Sequence, residues 1–219
     1  MVELIWVTPN CEQLIVEMAR VSNKQNQKNK ETGPGLLSYL IKHKHWSPLE
    51  MGNMCVHIET ERDISAQILR HRSFTFQEFS SRYAKMPPAE LPKFRRQDLK
   101  NRQNSIDDID DLILDEINDK VAVQLGSTYN LYQELLDIGV AKECARRILP
   151  LNTPTDLYMN GTLRSWVHYI DLRCANGTQL EHQEIAKEIK VIFKQQFPII
   201  AEAVWPATPQ IEATSVKNL

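Results

Sequence analysis

The stretch from Ser105 to Ile138 constrains the fold more than any other, because Ile109, Leu112 and Ile113 begin a helical period kept to about Ile138, where Gly139 ends it. Ser105 opens this segment, and Asp107 and Asp108 fall in its first turn, where carboxylates complement the helix dipole. A helix of this length either forms part of an oligomer core or covers its own sheet. Apolar residues at three- and four-residue spacing predict further helices over 141–149, 161–173 and 178–197, so the C-terminal half is mostly helical.

The first half reads differently. A short strand is expected over 3–8, and Asn10 then stands as N-cap of a helix carrying Leu14, Ile15, Met18 and Val21 on one face. The polar run 23–32 is a loop. Leu36, Leu37, Leu40 and Ile41 mark a second helix that ends near His45, since Pro48 disfavours helical geometry just before it. Met54, Val56 and Ile58 alternate as a strand with one buried face. Asp63 is placed to cap a helix through Ile64, Ile68 and Leu69 that delivers Arg70-His71-Arg72 at its C-terminal end. Residues 73–83 show no clear helical period, and Pro87, Pro88 and Pro92 enforce a loop. The basic run 93–102 reads as a solvated or mobile face. No internal repeat is seen, and the segment beyond Pro206 is polar enough to be partly disordered. The whole, 1–219, reads as a single α+β domain.

Composition excludes several classes. The hydrophobic and charged fractions, 42% and 25%, are those of an ordinary globular protein. A formal net charge of -2 argues against a surface built for nucleic acid, so any anion must be bound locally. Apolar runs such as Val191-Ile192-Phe193 fall far short of the roughly 20 residues that cross a bilayer, and the N-terminus lacks a secretory pattern, so the expected place is the cytoplasm, away from membranes. Cys11, Cys55, Cys144 and Cys174 are scattered without zinc spacing. Cys174 beside Arg173 is the best candidate for an activated thiol, against the commoner reading of a small buried hydrophobe. His43 and His45 lack a third ligand nearby, and no metal is expected.

One cluster stands out as chemistry. Arg70, Arg72 and Arg82 bracket Thr75, Ser80 and Ser81, a mixture of guanidinium forks and hydroxyls suited to phosphate or pyrophosphate. Gln67 lies three residues before Arg70 on the same helical face, and Glu78 offers a carboxylate to orient an arginine or accept from a ribose hydroxyl. The bland alternative is that these arginines pair with acidic neighbours at the surface. Phe74, Phe76 and Phe79 read more readily as core packing than as ring-stacking groups.

The run RHRSFTFQEFSSRY resembles the signature of flavin-dependent thymidylate synthases, with Arg70, His71, Arg72 and, after seven residues, Ser80 in register, and Glu78, Arg82 and Tyr83 matching its extended form. His45-Trp46-Ser47-Pro48-Leu49-Glu50, Ala145-Arg146-Arg147-Ile148-Leu149-Pro150 and the segment from Leu163-Arg164-Ser165 to Arg173 are similar to the family in the expected order. Gln77 and Met51 depart from common members, as does Glu181-His182-Gln183-Glu184-Ile185, where the usual alanine-glutamine pair is absent; Asn176-Gly177 is the expected turn of a slightly longer loop.

The resemblance implies a small antiparallel sheet packed against long helices, and reductive methylation of dUMP to dTMP with methylenetetrahydrofolate, NADPH and FAD. It implies dUMP contacts from Gln67, Arg70, Glu78, Ser80, Ser81, Arg82, Arg146 and Arg173, with Arg173 the catalytic residue beside the uracil N3 and O4 edge. Without the resemblance, Arg173 reads as a helix C-terminal cation. FAD contacts are implied for Ser47, Arg70, His71, Arg72, Ser73, Glu78, Thr162, Leu163, Arg164 and His168, with His45 near flavin and folate. A homotetramer with shared sites is implied as well. The rival readings are a same-fold enzyme acting on dCMP or transferring a hydroxymethyl group, and a non-enzymatic nucleotide or RNA-binding module.

Overall fold

In the computed structural model, which describes residues 1–206, the alternation at Met54, Val56 and Ile58 becomes β2 (Asn53–Glu61), and all three side chains are fully buried. Its neighbours are β1 (Val2–Val7) and β6 (Pro154–Thr162), and β3 (Phe74–Glu78) closes the other side of β6. The order is β1-β2-β6-β3, with every neighbouring pair antiparallel. Register runs unbroken from Asn53 opposite Thr162 to Glu61 opposite Pro154, which sets Leu157 and Met159 on the same buried face as the β2 triplet.

That face is covered by helices. Trp166, Tyr169 and Ile170 of α6 (Leu163–Arg173) and Ile185, Ile189 and Phe193 of α7 (Leu180–Gln196) join the same core, and the Trp166 Nε1 donates to the Met54 carbonyl at 2.9 Å. Full burial of such a side chain contributes roughly 1.5–3 kcal/mol. α1 (Cys11–Ala19), α2 (Gly33–Lys42) and α8 (Pro198–Val204) close one end, where the Glu12 carboxylate accepts from the Ile200 amide at 2.8 Å. The opposite sheet face stays open: Trp6 is 45% and Tyr158 44% exposed.

α4 (Asp111–Asp137) is attached to the rest mainly through its C-terminal half, where the buried Tyr132 packs with Met86 and Ala145 and accepts from the Met86 amide at 3.1 Å. Leu112, Ile113, Val123 and Ile138 stay largely exposed along it. Gly139, at φ 88°, ends the helix, with the Val140 amide returning to the Leu135 carbonyl at 2.9 Å. No helix among the described residues is long and apolar enough to cross a membrane.

Several expectations are corrected. The long helix starts at Asp111, capped by Asp110, whose carboxylate accepts from the Leu112 amide at 3.0 Å; Ser105–Ile106 instead form β5, paired with β4 (Arg96–Gln97). Asp107 and Asp108 leave the helix because they pair with Lys93 at 2.7 Å and Arg96 at 2.5 Å. The basic run keeps the solvated face expected of it, most of its residues being exposed, and adds a short hairpin in which Lys93, Arg95 and Arg96 pair with acids. Residues 74–78 are a strand, and Gly161 and Thr162 end β6 rather than open a helix; Thr162 caps α6, its Oγ1 accepting from the Ser165 amide. α5 (Lys142–Ala145) is one turn followed by a 3-10 turn, Arg146–Ile148. The helix at Arg62–Ile68 (α3) has Glu61 as its N-cap residue, and Asn10 is left-handed at φ 51° with no side-chain cap. The expected partly disordered tail beyond Pro206 lies outside the described residues.

Candidate active site

Residues implied in flavin binding meet where β6 runs into α6. Ser73, Thr162, Arg164 and His168 line one cavity of about 650 Å³ together with Trp46, Glu50 and Asp171. α6 dictates this grouping: Arg164 and His168 lie four residues apart on its exposed side, while Leu163, Trp166 and Val167 turn into the core. Arg164 is hydrogen-bonded to the Glu50 carboxylate, and the Ser165 hydroxyl reaches the Ser73 carbonyl at 3.4 Å. Leu163 itself is fully buried, and its amide is bonded to the Gly52 carbonyl at 2.9 Å. Ser47 sits exposed in the 3-10 turn Ser47–Met51, and His45 is exposed beside Tyr39 and His43.

Strand β3 then separates this cavity from the hydroxyl cluster. Five residues, at roughly 3.3 Å each, lie between Ser73 and the loop that carries Phe79 and Ser80. Beyond it, Ser80 and Arg82 border a second, shallower cavity of about 480 Å³. The buried Ser81 hydroxyl accepts from Arg146 Nη1 at 2.6 Å, and Arg82 pairs with Glu143 at 3.0 Å. The side chains of Arg70 and Arg72 are exposed and make no hydrogen bond or ion pair to the described residues, while the Arg70 amide donates to the Gln67 carbonyl at 3.4 Å. Glu78 is spoken for from inside the chain: Oε1 accepts from Arg62 at 2.7 Å, from the Ser65 hydroxyl at 2.5 Å and from the Thr155 hydroxyl at 3.3 Å. The arginine that it orients is thus Arg62, which sequence patterning did not single out.

Arg173, the last residue of α6, donates from Nε to Nε2 of His71 at 2.8 Å. Burial, and then the Arg173 charge and His168, lower the His71 pKa to about 4, so this imidazole is neutral and accepts at Nε2. Beside it, burial and the same cation, with His71, lower His182 to about 3. The Tyr169 phenol lies 3.0 Å from His182 Nε2, and burial raises its pKa further above the usual phenol range. His182 Nδ1 lies 3.3 Å from Gln67 Oε1, and Gln67 Nε2 donates to Gln179 at 2.7 Å.

The Cys174 thiol is not activated: burial pushes its pKa up and outweighs the lysines Lys190 and Lys187. It packs against the core as a small hydrophobe.

A family model described as thymidylate synthase complementing protein matches residues 3–199. A probable flavin-dependent thymidylate synthase of Paramecium bursaria Chlorella virus 1 is 51% identical over 200 residues, covering 89% of this chain and 90% of its own. The chain belongs to the flavin-dependent thymidylate synthase family. Another family member, from Synechocystis sp., is 50% identical over 193 residues, 88% and 89% of the two chains. A solved UMP/dUMP methylase from Streptomyces cacaoi, bound with 5-Br dUMP, superposes with a TM-score of 0.82 at 25% identity, covering 93% of each chain.

The donor set fits the flavin that names this family. A dinucleotide needs cations and hydroxyls for its pyrophosphate, and the cavity is lined by the Arg164 guanidinium and by Ser73, Thr162 and Ser165, with the exposed Arg72 directly before Ser73 in the chain. Trp46, Glu50 and Asp171 were absent from the implied flavin residues, though Trp46 and Glu50 stand in the motif that pointed to the family. Tyr169 and His182 had no signal in the sequence beyond the unusual segment at Glu181.

Proposed function

We propose that the chain converts dUMP to dTMP by reductive methylation, with methylenetetrahydrofolate as carbon donor, NADPH as reductant and FAD as hydride carrier. The observation that carries this is the hydrogen bond between Arg173 and the neutral His71. A guanidinium anchored through Nε to an uncharged acceptor keeps its full charge and leaves its Nη groups to meet a ligand. Charge of that kind beside the N3 and O4 edge of uracil stabilises the anion that makes C5 nucleophilic, and does so more in the transition state than in the ground state. The flavin, when bound, supplies the hydride.

The remaining residues bind and orient. Ser80, Ser81, Arg82 and Arg146 are the phosphate set, the Ser81–Arg146 bond presetting the arginine before nucleotide arrives. Gln67, Arg70 and Glu78 complete the nucleotide contacts. Ser47, His71, Arg72, Ser73, Thr162, Leu163, Arg164 and His168, with Arg70 and Glu78, are the flavin set, with His45 near flavin and folate. The strand length between Ser73 and Ser80 supports a site completed by other copies of the chain in a homotetramer, as do the exposed apolar residues along α4 and on the open sheet face. The reaction is assigned to the cytoplasm.

Tritium release from C5-labelled dUMP, in the presence of methylenetetrahydrofolate and NADPH, tests this directly. Release only from the cytidine analogue would overturn the substrate; colourless protein that cannot be reconstituted with FAD would overturn the enzyme. The neighbour's description as a UMP/dUMP methylase makes UMP the second nucleotide to assay.

A further inference from the structure

The hydrogen bonds running from Tyr169 through His182 and Gln67 to Gln179 can be satisfied in one direction only. Tyr169 is fully buried, and its hydroxyl has no partner but His182 among the described residues. If His182 carried its proton on Nε2, the phenol proton would be left unpaired inside the protein, a substantial penalty. The phenol therefore donates to Nε2, the neutral ring carries its proton on Nδ1, and that proton goes to Oε1 of Gln67. The Gln67 amide then turns Nε2 toward Gln179 with one N–H to spare.

The ring is held from several sides. α7 starts at Leu180, and its first turn is tied by the Glu181 ion pair to Arg95 at 2.6 Å and by Gln183 Nε2, which donates to the Cys174 and Ala175 carbonyls. Tyr169 stands one turn before Arg173 on α6, its ring edge-on to His71 with centroids 4.8 Å apart.

We propose that His182 is a positioning residue for the nucleotide site, fixing the Gln67 amide so that the group it offers a ligand is an N–H donor, matched to a phosphate or carbonyl oxygen of dUMP. This rests on the reading of Gln67 as a nucleotide contact. The residue lies in the segment where the usual alanine-glutamine pair is absent. A structural role for the ring would need its bulk and the Nε2 that accepts from Tyr169; a positioning role needs the Nδ1–H as well.

The test uses the full chain loaded with FAD, with dUMP binding read from the flavin absorbance change and steady-state rates measured in parallel. His182→Leu keeps bulk and loses both polar atoms; His182→Asn keeps a donor near the Nδ1 position. The proposal expects dUMP KM to rise about ten-fold in His182→Leu, with a smaller change in kcat, and to return most of the way in His182→Asn. It further expects Gln67→Glu, which replaces the N–H by an anionic oxygen, to bind dUMP more weakly than Gln67→Ala. Equal KM in the wild type and His182→Leu overturns it, as does an asparagine variant no better than leucine. Should His182→Leu fail to hold FAD, the Gln67 pair decides alone, and a glutamate variant binding as well as alanine overturns the proposal. A wild type that holds FAD but binds no dUMP overturns the substrate assignment instead.

Discussion

Arg173 and His71, 102 residues apart in the chain, are joined by a 2.8 Å bond from the guanidinium Nε to the imidazole Nε2. The bond aims the cation without neutralising it, because its acceptor is uncharged near neutral pH. Arg173→Ala is expected to retain the flavin spectrum and the fold while turnover falls by about 10²–10³, the typical loss of one charge-stabilising donor. Tritium release at saturating dUMP measures it; near-normal turnover would remove Arg173 from the chemistry.

The depressed histidines also set a pH dependence of stability. An unfolded chain binds protons at His71 and His182 near the ordinary value of 6.5, whereas the folded chain resists to about 4 and about 3. Their contribution is therefore complete above about pH 6.5 and is lost as pH falls toward those lower values, with a slope of up to about 1.4 kcal/mol per pH unit for a fully buried ring and less for the half-buried His71. Urea unfolding between about pH 7 and pH 5 should show this decline, and His182→Leu should flatten it. An unchanged slope in that variant would count against a neutral buried ring.

Ser80 and Ser81 differ in what they hold. Ser81 is buried and preorganises Arg146, whereas Ser80 borders the open cavity. Removing the Ser81 hydroxyl should weaken dUMP binding about ten-fold, and Ser80→Ala by less. Calorimetric titration of the flavin-loaded protein with dUMP gives both numbers; the opposite ranking would mean that Arg146 needs no support.

The ion pair between Glu50 and Arg164 is about half exposed on each side, at 47% and 52%. Pairs of that kind contribute roughly 0–1 kcal/mol to stability, so Glu50→Gln should leave the unfolding midpoint nearly unchanged. The same change frees Arg164 at the cavity mouth and should alter FAD affinity, measured by flavin fluorescence on dilution. Lost stability with unaltered FAD binding would reverse that assignment.

Gly161 faces Phe74 across the β3–β6 pair, and a Cβ there would meet the ring at 2.4 Å. Gly161→Ala should therefore cost about 1–3 kcal/mol through overpacking, seen as a lower denaturation midpoint. Because Phe74 follows Ser73 directly, weaker flavin retention should accompany it. A midpoint equal to that of the wild type would mean that the ring moves aside freely.

Features dictated by residues close together in the chain were legible in the sequence. Gly139 ends α4 and Gly177 turns at φ 93° after α6, because a positive φ is a local demand that glycine meets without strain. The alternation of β2 and the periodicity of α6 and α7 revealed buried faces, and Arg70 to Arg82 displayed the signature of the family. Tertiary structure alone decided what those local signals leave degenerate. Residues 74–78 and 154–162 became strands because each supplies the other's hydrogen-bond partners, and Asp107 and Asp108 left the long helix because Lys93 and Arg96 offered closer charges. The placing of His182 beside Tyr169 and Gln67, and of Arg173 on His71, depends on where α7 packs against α6 and α3. No spacing along one segment encodes a meeting of separate elements; burial of the shared core sets it, and the polar atoms must then find partners where that packing leaves them.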